Sequence, residues 1–272
     1  MQHQEFEAPE ALQDTIRCFS HNRKDFGAAT CSFEVVPDGY AEIIFYFGST
    51  CSIMRQDQLQ PLPSPFLVGL LDHPLTFYTQ NRLDIIGIRC YPWTVFDLLG
   101  LPAGKEKVQE LQHPVARLQP GLDQLLQSGD ITQAIDCLKT YFTEARANIS
   151  ADSLLFKAGI AMNTAKGTLP VKRVATAAHT TVRTLERKFK QSSGHTVKDV
   201  SGLMRFEQVR NRLWWQPDTN LAGLALEMGY TDQAHLSREF KRYSGATPAA
   251  FARNARKDRK FTDKDFVAFV QD

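Results

Sequence analysis

Thr-Val-Arg-Thr-Leu-Glu-Arg-Lys-Phe-Lys at 181–190, closed by Gly194, and Asp-Gln-Ala-His-Leu-Ser-Arg-Glu-Phe-Lys at 232–241, closed by Gly245, are two copies of one pattern spaced 51 residues apart. Each copy opens on a residue suited to capping a helix, Thr181 or Asp232, whose side-chain oxygen can accept from an early backbone N–H. Leu and Phe then stand four apart, Leu185 with Phe189 and Leu236 with Phe240, which puts them on one helix face. Cationic and polar residues fall on the other face. A duplicated short helix with a cationic face predicts a protein that grips duplex DNA twice.

The flanking sequence gives each helix a partner. Residues 171–178 predict a short helix with Val174, Ala175 and Ala178 inward, which turns directly into the helix after Thr181, a helix-turn-helix. Leu221, Leu224, Ala225 and Met228 make the matching helix of the second unit, and Gly229 permits a left-handed exit. Residues 153–164 predict a preceding helix that ends at Gly167. A long helix over 197–214, with Leu203, Phe206, Val209, Arg210 and Leu213 inward, joins the units. The stem of Arg210 is expected to lie over the core. Thr247-Pro248 starts a last helix, with Pro where a missing N–H costs nothing.

The chemistry follows from groove geometry. A short helix held by a scaffold enters the major groove, where Arg183, Arg187 and Arg238 suit guanine O6 and N7 and Gln233 suits adenine N6 and N7. The caps and first amides can approach phosphates. On a rigid linker helix, two such helices suit successive major-groove turns, roughly 34 Å apart.

Charge agrees with this division. Residues 1–150 carry 11 Lys/Arg against 18 Asp/Glu, a net of −7, and residues 151–260 carry 20 against 9, a net of +11. The chain's +2 averages an acidic part and a phosphate-facing one. Apolar residues at 43% of 272 suffice for two folded domains. The five cysteines (18, 31, 51, 90, 137) form no CxxC pair, which fits a reducing cytoplasm with thiols acting as small hydrophobes. No signal peptide or membrane-spanning run is read, so no membrane partner is expected.

The N-terminal half reads as β-rich. Within residues 31–47, Pro37-Asp38-Gly39 is a turn between two strand-like runs, with Asp38 as its cap. Further strands are expected at 66–70, 75–79 and 84–89, giving a small barrel or sandwich. Residues 93–99 look helical and stop at Gly100-Leu-Pro102. Helices follow at 121–126 and 131–145, with Ile131, Ala134, Ile135, Leu138 and Phe142 on one stripe that faces either its own domain or a partner. His73 stands alone, so no metal and no cofactor is expected. The barrel suits a small-molecule sensor and equally a dimerisation module.

At these residues the C-terminal part resembles the AraC/XylS family of bacterial transcription regulators, whose DNA-binding domain has seven helices and two helix-turn-helix units. The resemblance covers about residues 153–255. It is carried most specifically by Gly-Tyr-Thr-Asp-Gln-Ala-His-Leu-Ser-Arg-Glu-Phe-Lys at 229–241, with Gly245 and Thr247-Pro248. By that resemblance the first recognition helix reads DNA with Val182, Arg183, Glu186 and Arg187. The second uses Gln233, Ala234, Ser237 and Arg238, with His235 nearby. The first unit departs from the family where His179 stands in place of the usual turn Gly, and Thr180 is more polar than usual. Glu186 either accepts from cytosine N4 or pairs with Arg183 or Arg187.

The N-terminal half looks like a subgroup with a Pro-Asp-Gly turn before an Ile-Ile-Phe strand, here 37–45, and a Gly-x-Arg strand, here Gly87-Ile-Arg89 with Pro92. Family sensor domains are often cupin-like barrels that bind metabolites or dimerise. Activation through RNA polymerase is typical of the family, and repressors occur.

The expected architecture is α+β in two domains: a small cupin-like β-barrel over 1–115, a helical linker over 116–150, an all-α domain over 151–258 with units at about 170–191 and 220–243, and a tail over 259–272. The expected function is a cytoplasmic, non-enzymatic, sequence-specific regulator that binds double-stranded DNA. An unknown effector, RNA polymerase and a second copy of the chain are its further candidate partners. Two other readings stay open. One gives the N-terminal domain an enzymatic or thiol-based sensing role, with Cys31, Cys51 and Cys90 as nucleophile candidates. The other is an adaptor whose helices face protein. In the tail, Arg253, Arg256, Lys257, Arg259 and Lys260 form a basic run that suits phosphates or water equally, and Phe266, Phe269 and Val270 are candidates to dock on the body.

Overall fold

The structure is a computed structural model, and it describes residues 2–101, 107–148, 154–258 and 269–270. The N-terminal part holds strands β1 (Gln2–Glu7), β2 (Ile16–Asp25), β3 (Cys31–Val35), β4 (Ala41–Gly48), β5 (Ser52–Arg55), β6 (Gln58–Pro61), β7 (Phe66–Val68), β8 (Leu75–Thr79), β9 (Arg82–Cys90) and β10 (Val108–Glu110). One antiparallel sheet runs β1-β2-β9-β4-β7-β10. The second runs β11-β3-β8-β5-β6, its first member being the short β11 (Phe269–Val270), which pairs with β3 at Val35 and Glu34. The described strands form two separate sheets and not the closed barrel expected over 1–115, and the large sheet covers its outer face with helices.

Period-two alternation distributes the core. On β4, Ile43, Phe45 and Phe47 face one side while Ile44 faces the other; on β9, Ile86, Ile88 and Cys90 oppose Leu83 and Ile85. The first set meets helices α1 (Val95–Leu99), α2 (Gln119–Ser128) and α3 (Ile131–Ala147). The second set fills the space between the sheets with Phe33, Phe66 and Phe77, whose rings stack at 5.6 and 5.9 Å. The apolar stripe of α3 (Ala134, Ile135, Leu138, Phe142) is therefore covered by its own domain. Strands β1 and β2 were not expected. β1 is an edge strand of polar residues, and β2 buries His21 and Asn22 instead of alternating apolar groups.

The C-terminal part is all helical: α4 (Leu154–Thr164), α5 (Val171–Ala177), α6 (Val182–Ser193), α7 (Val197–Trp215), α8 (Leu221–Glu227), α9 (Gln233–Ser244) and α10 (Pro248–Asp258). Helix α7 is the shared spine, with Leu203, Phe206, Val209 and Leu213 almost fully buried, and its first turn closes a capping box between Thr196 and Asp199. Its Arg210 goes further than laying a stem over the core, since the whole side chain is buried and Nη1 donates to the Pro37 carbonyl 3.2 Å away. The candidate phosphate contacts Arg259 and Lys260, and Phe266, lie outside the described residues.

Two parts of the chain meet at the Pro-Asp-Gly turn. Asp38 caps it by accepting from Tyr40 N–H at 3.1 Å, and its other oxygen pairs with Arg89 of β9 at 3.0 Å. Gly39, at φ +86, lies against the α7 backbone: a Cβ there would sit 3.5 Å from the amide nitrogen of Met204. Gly87 leaves room for the carboxylate of Glu42, which a Cβ would meet at 2.3 Å. The two short motifs of the N-terminal half thus form one clasp on α7.

Candidate nucleic-acid interface

The two helix-turn-helix units repeat down to single hydrogen bonds. In the first turn, His179 N–H donates to Thr176 and Thr180 N–H to Ala175, both at 3.0 Å. In the second, Gly229 N–H donates to Leu226 and Tyr230 N–H to Ala225, at 3.1 and 2.9 Å. The offset is 50 residues at the turns and 51 from the caps onward, so Thr231 is an inserted residue between turn and cap. The insertion is absorbed locally, with Thr231 Oγ1 lying 3.4 Å from His235 Nδ1.

Both recognition helices start on their predicted caps. Thr181 accepts from Thr184 N–H at 3.2 Å, and Asp232 from His235 N–H at 2.7 Å. Both end on a left-handed Gly, Gly194 at φ +75 and Gly245 at φ +73. Ser193 and Ser244 donate to the carbonyls of Phe189 and Phe240 at 2.8 and 2.9 Å. Leu185, Phe189, Leu236 and Phe240 are buried, as the (i, i+4) spacing requires. His179 takes the left-handed conformation that Gly229 takes in the second unit, with φ +52 against +75.

The predicted reading residues divide into three groups. Val182, Arg183, Arg187, Gln233, Ala234 and Arg238 are exposed on α6 and α9, along with the caps Thr181 and Asp232. Arg183, Arg187 and Arg238 have no ion-pair partner among the described residues, which leaves their guanidinium groups available to a ligand. Ser237 and His235 are half-buried, and His235 sets its ring edge-on to Tyr230 at 5.3 Å. Glu186 is turned aside from both alternatives expected for it: Oε2 accepts from Val197 N–H, 3.1 Å away, at the start of α7. A carboxylate there meets the orphan amides of a helix N-terminus. Sequence reading passed over Lys172 and Arg173, exposed on α5, although a basic pair at the start of a helix-turn-helix was a visible signal.

A second set of residues, whose grouping was not legible in the sequence, sits where the domains meet. Asp38 of the turn and Glu42 and Arg89 of the sheet gather with Glu207 and Arg210 of α7 in one half-buried group. Loss of hydration there pushes the Glu42 and Glu207 carboxyls up to about 7. For Glu207 the charge of Asp38 adds to that push, while Arg210 and Arg89 oppose it. The same loss of hydration pushes the thiol of Cys51 up to about 12 and that of Cys90 upward too, the opposite of an activated thiolate. Among the described residues no group of three His, Cys, Asp or Glu side chains is placed to hold a metal, and no helix is long and apolar enough to cross a membrane.

Comparison with known proteins divides the chain in the same way. Residues 174–254 match a family model described as a helix-turn-helix domain, and residues 4–111 match one described as a domain of unknown function, DUF6597. Among solved structures, ToxT from Vibrio cholerae O395 bound to (E)-4-(8-methylnaphthalen-1-yl)but-3-enoic acid is 10% identical, at a TM-score of 0.46 over 87% of this chain and 99% of that one. Wild-type ToxT from Vibrio cholerae strain SCE256 with bound unsaturated fatty acid is 12% identical, at 0.44 over 86% and 94%. The AraC-like transcriptional activator CuxR is 11% identical, at 0.32 over 76% and 78%. No curated protein matches the chain significantly. Behind its β-rich N-terminal domain, the chain carries a helix-turn-helix domain over residues 174–254.

Proposed function

We propose that this protein is a sequence-specific transcription regulator that reads two blocks of one duplex, α6 taking one and α9 the other. The observation that carries this reading is the duplicated unit itself: two capped helices repeat their turn, cap and C-terminal serine hydrogen bonds and expose Arg183 and Arg187 in one copy and Gln233 and Arg238 in the other. Base discrimination falls to those four side chains, each good bidentate contact contributing about 1–3 kcal/mol. Val182, Ala234 and Ser237 shape the apolar and small contacts beside them. Thr181 and Asp232 order the first amides near phosphate. Glu186 orients the unit through α7 and does not read a base.

In this reading the N-terminal domain sets how the reading domain is presented. A small-molecule effector acts by binding one arrangement of the two domains better than another. A second copy of the chain and RNA polymerase are the further partners of the proposal. An activated-thiol role at Cys51 or Cys90 is disfavoured by their raised thiols.

Salt dependence is the test of this reading. Affinity of the full chain for duplex DNA is expected to fall steeply with salt, with a log–log slope of about −0.9 per phosphate engaged, summed over several phosphates. Binding that ignores salt, or none at low salt, would overturn the reading and favour a protein-facing adaptor.

A further inference from the structure

The two reading helices are built alike but held differently. Helix α9 is fixed within its own domain: Phe240 packs on Phe206 and Phe251 at centroid distances of 5.0 and 5.5 Å, and Tyr243 packs on Phe206 at 5.3 Å. In α6 the corresponding Phe189 packs on Trp93, a residue of the N-terminal domain, at 6.1 Å and 45°. Trp93 is 2% exposed and stands within the core of the helical domain.

Both sides of this contact are shaped for it. Trp93 stacks on Tyr91 at 5.1 Å, and Tyr91 tilts against Tyr40 of the Pro-Asp-Gly loop at 5.7 Å, so an aromatic column runs from that turn to α6. The bend that bears Trp93 is anchored: Tyr91 N–H donates to Thr15 at 2.9 Å, and Thr94 Oγ1 donates to Tyr91 at 3.0 Å. Tyr91 also accepts from Asn163 of α4 at 2.8 Å. On the receiving side α4 carries Gly159, where a Cβ would stand 2.1 Å from Trp93 Nε1. A glycine inside a helix weakens it, and here the close approach of an indole accounts for it. The first unit also carries its turn on the left-handed His179, where the second has Gly229.

We propose that Trp93 is a positioning residue for the first recognition helix, so that docking of the N-terminal domain sets the competence of the first unit while the second keeps its own. The inference rests on reading α6 and α9 as DNA-reading helices. It assigns the N-terminal domain control over one block of the binding site, not over binding as a whole.

The test uses the full chain as wild type, Trp93→Ala, Trp93→Phe and Gly159→Ala. Gly159→Ala expels the indole from the other side while favouring the α4 helix, so it decides the matter if Trp93→Ala fails to fold. Amide hydrogen exchange over 171–193 is expected to run about tenfold faster or more in Trp93→Ala and Gly159→Ala, with 221–244 changed less than about twofold and Trp93→Phe close to wild type. On a duplex recovered from a random library with the wild-type chain, Trp93→Ala is expected to lose protection of one block and keep the other. Equal acceleration in both units, or in neither, overturns the proposal whether or not the chain binds DNA. Equal loss of both blocks overturns it as well. If no duplex is recovered, the DNA reading fails and the exchange comparison alone decides the role of Trp93.

Discussion

Replacing Arg89 by Met tests the clasp between the sheet and α7. Arg89 pairs with Asp38 at 3.0 Å and lies near Glu42 and Glu207, so its removal takes a positive charge away from all three carboxyl groups. Breaking a fully buried ion pair from one side costs about 3–5 kcal/mol. The side chains of Arg89 and Asp38 retain 23% and 14% exposure, and this access to water lowers the expected loss from this pair to about 2–3 kcal/mol. The loss depends on pH in a definite direction. Glu42 and Glu207 hold their protons up to about pH 7 in the folded protein, so at pH 5.5 both are neutral and Asp38 is the group left facing the gap. The expected loss is therefore about that of the Asp38 pair at pH 5.5, and larger at pH 8 by about 1–2 kcal/mol. Urea denaturation at the two pH values, followed by tryptophan fluorescence, measures both. A loss of equal size at pH 5.5 and pH 8 would refute the claim that the uncompensated carboxylates are what Arg89 neutralises.

The remaining predictions use the same physics elsewhere. For Glu207→Gln the sign is set by a folded-state carboxyl raised from an unfolded value near 4.3 to about 7: the native state carries an extra proton between these values, and stability falls as pH rises through that window. The Gln variant is expected to exceed wild type by about 1–3 kcal/mol at pH 8, with the gap closing towards pH 4; a constant gap across that range would contradict this. His179→Gly relieves a left-handed non-glycine residue, and after glycine's greater unfolded-state freedom is subtracted it is expected to stabilise by about 0.5–1 kcal/mol, read as a rise in Tm; a fall would show that the imidazole makes a compensating contact. Asp232→Ala removes the acceptor for His235 N–H and is expected to cost about 1 kcal/mol, with Asp232→Asn retaining most of the stability; equal losses in both would assign the effect to charge and not to the cap.

Legibility in the sequence followed the range of the interaction. Helices α6 and α9 were readable because a cap, a Leu–Phe pair and a closing Gly all act within one helix, and their duplication made chance agreement improbable. Strand β4 was readable because Ile43-Ile44-Phe45 is apolar on both faces and bounded by turn residues. β2 was not, since its buried His21 bonds to Asp84 at 3.1 Å, 63 residues away. The same limit hid the domain junction. Trp93 reads locally as the start of a helix and Gly159 as a weak helix former, and only their contact explains either. Asp38 was legible as a turn cap, but its pairing with Arg89 was not. Glu186 shows the converse: its position on α6 pointed to a base or a neighbouring Arg, while the amide of Val197, eleven residues on, takes it instead.

The central claim, that both α6 and α9 read bases, is tested most directly by selecting bound sequences from a random duplex library with the full-length chain and with Arg183→Ala, Arg187→Ala and Arg238→Ala. The account predicts an enriched site of two blocks about one helical turn apart, in which the two α6 variants relax one block and the α9 variant the other. Enrichment of a single block that is indifferent to Arg183 and Arg187, or no enrichment even with residues 151–272 alone, would contradict it.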